Sequence, residues 1–341
     1  MLGHILVPLD GSHRDEQILP MVARLARAAH ARVTLITIIA LPSEYYAYPM
    51  WSGPVPANMV ERDEQEAEEH LKHLKQSEML RDLEVNTSVF SGFPVQELED
   101  AIEREHVDLV MMCSHGDVGF KRLVLGSVAQ QMVRHSNVPV LILKEQRQGQ
   151  SMLGKGMPFQ FTVALDGSPG AESVLKIAAT LSALLSAPEP GKLHLLRVVQ
   201  PIYAVAPHGN ETVSQANVKA LEEAEAYLND VTKRILLHMV PDTLLDITMS
   251  VRTDEDVATA LMQVAREDEV RMMGPSGGIA LATHGRHGIP RWLLGSVTEH
   301  VLGHASFPLL IVRQEIAESR EADHGDQAQR HEHAYHPFAM F

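Results

Sequence analysis

The chain has 341 residues, enough for two domains of ordinary size, each burying its own core. Its 45% hydrophobic and 21% charged content reads as globular, and a formal net charge of −15 opposes nucleic-acid or anionic-membrane partners, which call for a basic stripe. Cys113 is the one cysteine, so no disulfide can form within the chain, and a reducing compartment fits.

In chain order, the opening MLGHILVPLDGS lacks the basic region, long apolar stretch and cleavage site of a signal peptide. No apolar run approaches the roughly 18 residues of a spanning helix, so a cytoplasmic location is expected. Short apolar runs at His4–Leu9, Arg32–Ile39, Glu84–Phe90, Asp108–Cys113 and Pro139–Lys144 predict strands. Between them, Asp15–Ala29, Val60–Leu80, Val95–Glu105 and Ser127–His135 carry helical patterns. Val95, Leu98, Ile102 and His106 form one helical face. A linker at 146–157, rich in Gln, Gly, Ser and Lys, follows a first domain at 1–145. The second domain, 158–314, repeats the alternation with strands at Gln160–Leu165, Lys192–Val199, Asp246–Val251, Gly278–Ala282 and Pro308–Arg313. Residues 315–341 are polar and acidic with four histidines, an expected disordered tail.

The halves are copies of one another. ILVPLDGS at 5–12 recurs as FTVALDGS at 161–168, and SHGDVGFKRLVLGSV at 114–128 recurs as THGRHGIPRWLLGSV at 283–297. VPVLILK at 138–144 recurs as FPLLIVR at 307–313. The offset grows from 156 residues at Asp10/Asp166 to 169 at Gly116/Gly285. The extra residues fall at Pro188–Gly191, before the third strand, and around Arg271–Gly277, all of loop composition. Alternating strands and helices with near-continuous apolar strands predict a parallel sheet covered on both faces. The fold class is therefore α/β, with two tandem doubly wound five-stranded domains.

Such sheets bind ligands beyond the carboxyl ends of their strands, where strand order reverses. Asp10-Gly11-Ser12 ends the first strand, and Cys113-Ser114-His115-Gly116 ends the fourth. Nine residues later, Gly126-Ser127 open a helix whose first N–H groups suit a phosphate. An exposed helix end contributes only about 0.3–1 kcal/mol per charge, so several N–H groups and a nearby cation must act together.

These residues resemble the ATP-binding motif of universal stress proteins: Gly, two residues, Gly, nine residues, Gly, then Ser or Thr. The first half reads Cys113, Ser114-His115, Gly116, nine residues, Gly126-Ser127; the second reads Ala282, Thr283-His284, Gly285, nine residues, Gly295-Ser296. Both depart at the first position, where Cys and Ala replace Gly, and the second half keeps the closer match. The resemblance implies that Asp10 and Asp166 lie beside the adenosine, and that Ile38 and Val198 present backbone groups to adenine. It implies that Gly116, Gly126, Ser127 and Val128 hold ribose and phosphates in the first half. Gly285, Gly295, Ser296, Val297 and Thr298 do so in the second. It further implies ATP as ligand, with or without Mg²⁺, an unidentified protein partner, and pairing through the last strands. Val138–Lys144 and Phe307–Arg313 would then join the halves as an internal pseudo-dimer, leaving a dimer of chains open.

Plainer readings stand beside these. The Gly-Ser pairs also begin ordinary helices, and Asp-Gly-Ser also makes an ordinary turn. His115, His284, His287, Lys121, Arg122, Arg286 and Arg291 surround the phosphate loop, where loop side chains are commonly just solvated. No acid, base and nucleophile set is evident, so no catalytic residue is named, and slow ATP hydrolysis, phosphoryl transfer or a nucleotide-free dimerisation scaffold are the alternatives. Asp254-Glu255-Asp256 replaces Gly92-Phe93-Pro94 of the first half and suits a helix cap better than a Mg²⁺ site. Cys113 reads as a half-buried strand residue, the glutamates of Val60–Leu80 as a solvated face, and Met111, Met112, Met272 and Met273 as packing. The tail's His331, His333 and His336 lack a fixed metal geometry.

Overall fold

The computed structural model describes residues 2–12, 15–40, 57–114, 125–144, 157–204, 212–239, 244–272, 277–283 and 294–313. The strands of the first half are β1 (His4–Pro8), β2 (Arg32–Ala40), β3 (Val85–Gly92), β4 (Leu109–Cys113) and β5 (Val140–Leu143). Its helices are α1 (Leu19–Ala29), α2 (Ala57–Gln76), α3 (Pro94–Glu105) and α4 (Ser127–His135). The second half has β6 (Gln160–Ala164), β7 (Gly191–Val199), β8 (Leu245–Thr253), β9 (Gly277–Ala282) and β10 (Leu309–Val312). Between these lie α5 (Pro169–Glu172), α6 (Leu175–Ser186), α7 (Val213–Arg234), α8 (Val257–Arg271) and α9 (Ser296–His304).

The ten strands form one sheet in the order β3-β2-β1-β4-β5-β10-β9-β6-β7-β8, so each half runs 3-2-1-4-5. Every pair within a half is parallel, and β5 meets β10 antiparallel. Chain direction reverses only at that seam. Leu141 pairs with Leu310, its own counterpart in the repeat, so a local twofold axis passes through the pair.

Two apolar layers hold the sheet. Ile5, Val7, Leu35, Met111, Val163 and Leu195 point toward α1, α2, α6 and α7. Leu6, Ile36, Val110, Ile279 and Leu309 point toward α3, α4, α8 and α9. Successive strand residues alternate between layers, and burial on both sides explains the near-continuous apolar runs. Each fully buried Leu or Ile contributes on the order of 1.5–3 kcal/mol. Both layers draw residues from both halves, so the seam lies within the core.

Several boundaries differ from the periodicity. Asp15–Ile18 is a 3₁₀ turn, and the α-helix starts only at Leu19, with Pro20 in its first turn where a missing N–H is harmless. The predicted helix Val60–Leu80 starts at Ala57 and ends at Gln76, while Leu80 lies buried in the turns beyond. His106 leaves the predicted face: it ends α3 in the left-handed region at φ 52° and is exposed, and Val107 takes the buried place. Gly191, expected within an inserted loop, is the first residue of β7. A Cβ there would come within 2.5 Å of the Ala183 backbone nitrogen, so only glycine lets α6 lie this close.

Candidate functional site

In each half the strand order reverses between β1 and β4, or β6 and β9, and those predicted residues that are described lie at the carboxyl ends of the strands beside that opening. Asp10-Gly11-Ser12 and Asp166-Gly167-Ser168 fold alike. Asp10 Oδ1 accepts the Ser12 N–H at 2.9 Å, and Asp166 Oδ1 accepts the Ser168 N–H at 2.9 Å. The glycine between takes φ 84° in one turn and 88° in the other, a conformation that disfavours any Cβ. The plain turn reading thus holds for both aspartates, and the turn itself fixes each carboxylate at the mouth of the opening.

The second strand of each half outruns the first. Leu9 N–H donates to Ile36 O, and Leu165 N–H donates to Leu196 O, at 2.9 Å each. Backbone groups of alternate residues point to the same side of a strand. The N–H and C=O of Ile38 and of Val198 therefore face the side where β1 and β6 have already ended. The Ile38 and Val198 side chains are half-buried against the α3/α4 and α8/α9 layer, as are those of Val128 and Val297.

The chain after β4 leaves and returns at one residue. Ser114 N–H donates to Leu143 O at 2.8 Å, and Ser114 O accepts the Gly126 N–H at 2.7 Å. Thr283 repeats this with Val312 O at 2.9 Å and the Gly295 N–H at 3.0 Å. Gly126 and Gly295 then open α4 and α9 in nearly the same extended conformation, and neither helix has a side-chain cap. Ser168, Thr212 and Asp256 cap α5, α7 and α8, while α1, α3 and α6 also lack a side-chain cap. The uncapped first-turn N–H groups of α4 and α9 are donors without a helical partner, at the switch point of the sheet. A Cβ on Gly295 would come 3.2 Å from Thr283 O, so the close return favours glycine.

Gly116, Gly285, His115, His284, His287, Lys121, Arg122, Arg286 and Arg291 lie outside the described residues, as do Met273 and the tail histidines. Ser127 and Ser296 are exposed at the helix starts. Thr298 is not: it is buried, and its hydroxyl donates to Ala282 O at 3.3 Å, tying α9 to β9. Only its backbone N–H lies toward the opening. Cys113 packs with the α1/α2 layer, with its thiol 3.7 Å from Asp15 O. Its bulk thus lies across the sheet from Val128. Burial pushes the thiol pKa up, the opposite of an activated thiolate.

Asp256 caps α8 by accepting the N–H groups of Ala258 and Thr259 at 3.1 and 3.2 Å, and Asp254 accepts the Asp256 N–H at 2.9 Å. The capping role expected of this acidic run is realised. Among the described residues no group of three or more His, Cys, Asp or Glu gathers as a metal site.

Asp15 is absent from the motif. It is 7% exposed, and its Oδ2 accepts the Asp10 N–H at 2.8 Å. Burial, then the neighbouring Asp10 carboxyl, push its pKa up to about 8. An acid five residues beyond the strand-end Asp reads as an ordinary first-turn residue; the signal is that the second copy has Ala171 there.

The model of the universal stress protein family matches residues 1–144 and again 159–313. The chain belongs to the universal stress protein family. A universal stress protein of Methanocaldococcus jannaschii is 27% identical over 142 residues, 41% of this chain and 81% of that relative. The crystal structure of a universal stress protein from Archaeoglobus fulgidus superposes with a TM-score of 0.60 at 18% identity. It covers 92% of this chain and 99% of that one. A putative universal stress protein from Pseudomonas aeruginosa gives 0.58 at 15% identity, over 94% and 97%. The tandem arrangement is thus that of a double universal stress protein, and no helix among the described residues is long and apolar enough to cross a membrane.

Proposed function

We propose that each half binds an adenine nucleotide, ATP with or without Mg²⁺, and that this cytoplasmic chain is a regulatory binding module of the stress response. The observation that carries the reading is the doubled construction at the switch points. A glycine pinned by Ser114 O or Thr283 O opens a helix at the same carboxyl edge of the sheet as an Asp-Gly-Ser turn and an overhanging strand end.

The fit is chemical. Adenine has an edge with one donor and one acceptor, which the open N–H and C=O of Ile38 and Val198 complement, over the apolar Val128 and Val297. Ribose hydroxyls are donors, suited to Asp10 and Asp166. Phosphate oxygens are acceptors, suited to the first-turn N–H groups after Gly126 and Gly295 and to the Ser127 and Ser296 hydroxyls. Gly116 and Gly285 would complete each loop. In this reading the chain binds and responds rather than turning over. The second half, nearer the motif, is the stronger site.

Calorimetric titration of the full chain with ATP tests this, alongside Gly295→Val. Saturable binding weakened at least tenfold at one site by the variant supports it. No heat at millimolar ATP would leave a nucleotide-free pairing scaffold as the better account.

A further inference from the structure

The two ends of the ten-stranded sheet are finished differently. β3 closes one end, and only Asn86 and Thr87 of its eight residues are exposed. The Ser91 hydroxyl there donates to Glu64 of α2 at 2.6 Å, which ties that edge to the helix. β8 closes the other end, and Asp246, Thr248, Met249, Arg252 and Thr253 are exposed. It runs in unbroken register with β7 for nine residues, without the bulge, proline or lysine that commonly blunts an edge. Leu236, Leu237 and Leu244, in the segment that feeds this strand, are exposed as well.

The register fixes which backbone groups are open. Gly191 N–H donates to Leu244 O at 2.9 Å, so the even-numbered residues of β8 turn their N–H and C=O toward β7. Those of Leu245, Ile247, Met249, Val251 and Thr253 point away from the sheet. The side chains of these five share one face, where Leu245, Ile247 and Val251 pack against the layer that holds α7 and Met249 stays 42% exposed. The other face carries Asp246, Thr248, Ser250 and Arg252. The two charges of the strand are thus opposite in sign, on one face, and three residues to either side of Met249.

We propose that β8 is a self-pairing edge: two copies of this chain join antiparallel through it, about a twofold axis at Met249, into one continuous sheet. About that axis Met249 lies opposite Met249 of the second copy, Ile247 opposite Val251, and Leu245 opposite Thr253. These are the residues with outward backbone groups, as hydrogen-bonded antiparallel pairs require. Thr248 then faces Ser250, and Asp246 faces Arg252, in the intervening pairs where side chains approach most closely. The axis makes the charge pair form twice. Moving the axis to Ser250 sets Asp246 against Asp254, and moving it to Thr248 sets Asp246 against Ser250. Arg252 already holds Glu267 of α8 at 2.5 Å, and its guanidinium has further donors for a second carboxylate. On the opposite face Ile247, Met249 and Val251 of both copies extend the apolar layer across the join. β3 contains no charged residue and so offers no such register. A twofold contact closes on itself, so the assembly stops at two chains. The inference is independent of nucleotide binding.

Sedimentation of the full chain at micromolar concentration tests this. The expected species has twice the 37.7 kDa mass of the chain. Met249→Pro removes an N–H that β7 does not use, so it blocks pairing and leaves the internal ladder whole. Asp246→Arg and Arg252→Asp each set like charges together at both ends of the join. Each of the three should weaken dimerisation by about tenfold or more. Mixing Asp246→Arg with Arg252→Asp should restore it, which misfolded chains could not do. Met249→Cys lies on the axis and should form a disulfide-linked dimer on mild oxidation, whereas Thr253→Cys, exposed but off the axis, should not. A monomeric unmutated chain overturns the proposal. So does a dimer untouched by all three substitutions, or one that cross-links through Thr253→Cys and not through Met249→Cys.

Discussion

Lys144 and Arg313 occupy matching places after the last strand of each half, and each reaches across the seam to the last helix of the other. The Lys144 ammonium donates to Leu302 O in α9, and Arg313 Nη1 donates to His135 O in α4 at 2.9 Å. These exchanged contacts flank the Leu141–Leu310 pair and are related by its twofold axis only approximately, since the counterpart of Leu302 is Val133 and the Arg313 contact falls two residues later, on His135. They supply carbonyls at helix C-termini with cationic donors, the favourable sign for a helix dipole. Arg134 and Glu299 add an ion pair at 3.2 Å across the same seam.

The two cations are unequal, because Lys144 is 8% exposed and burial lowers its pKa to about 8, from 10.5. Between those values the unfolded chain holds more protons than the folded one, so this residue makes stability rise with pH through that window. Urea denaturation should show the unmutated chain gaining about 2 kcal/mol more than Lys144→Met between pH 8 and pH 10. Parallel behaviour of the two proteins would contradict a buried, desolvated amine.

A buried network ties β7 to α8 and β8. His194 Nδ1 lies 2.6 Å from Asp268 Oδ2 and its Nε2 lies 2.8 Å from Ser250 Oγ, while the Thr162 hydroxyl donates to Asp268 at 3.0 Å. The first half builds a related knot from His4, Thr34 and Glu105. Both lie at the amino ends of the strands, away from the proposed sites. Asp268→Ala strands the partners in the interior and should lower stability by about 3 kcal/mol with ATP affinity unchanged. A loss below about 1 kcal/mol in denaturant titration would contradict the network's structural role.

Much of this architecture was legible in the sequence because its strands are buried on both faces. Arg32–Ile39 and Lys192–Val199 read as largely apolar runs whose bounds fall within a residue of β2 and β7, and the repeat locates the strand ends and helix starts. Elements whose conformation depends on distant partners were not legible. His106 fits a helical face by spacing, yet the chain there turns left-handed to enter β4. Thr298 reads as a phosphate donor until Ala282 O takes its hydroxyl. Asp15 and Lys144 look like surface charges in a one-dimensional pattern, and only the closing of α1 on β4, and of β5 on β10, encloses them.

Asp256→Ala tests whether the acidic run acts as a cap. Loss of its bonds to Ala258 and Thr259 should lower the midpoint of urea denaturation. The Mg²⁺ dependence of ATP binding should not change. A shift in that dependence without loss of stability would assign the run to a metal instead.

The most direct measurement is the nucleotide content of the chain itself: denature freshly purified protein, separate the released small molecules by chromatography, and quantify adenine nucleotide per chain. The account expects near-stoichiometric adenine nucleotide, chiefly ATP, falling by about one equivalent per chain in Gly295→Val when both halves are filled. Protein that releases none, and takes up none after incubation with millimolar ATP and Mg²⁺, would contradict it.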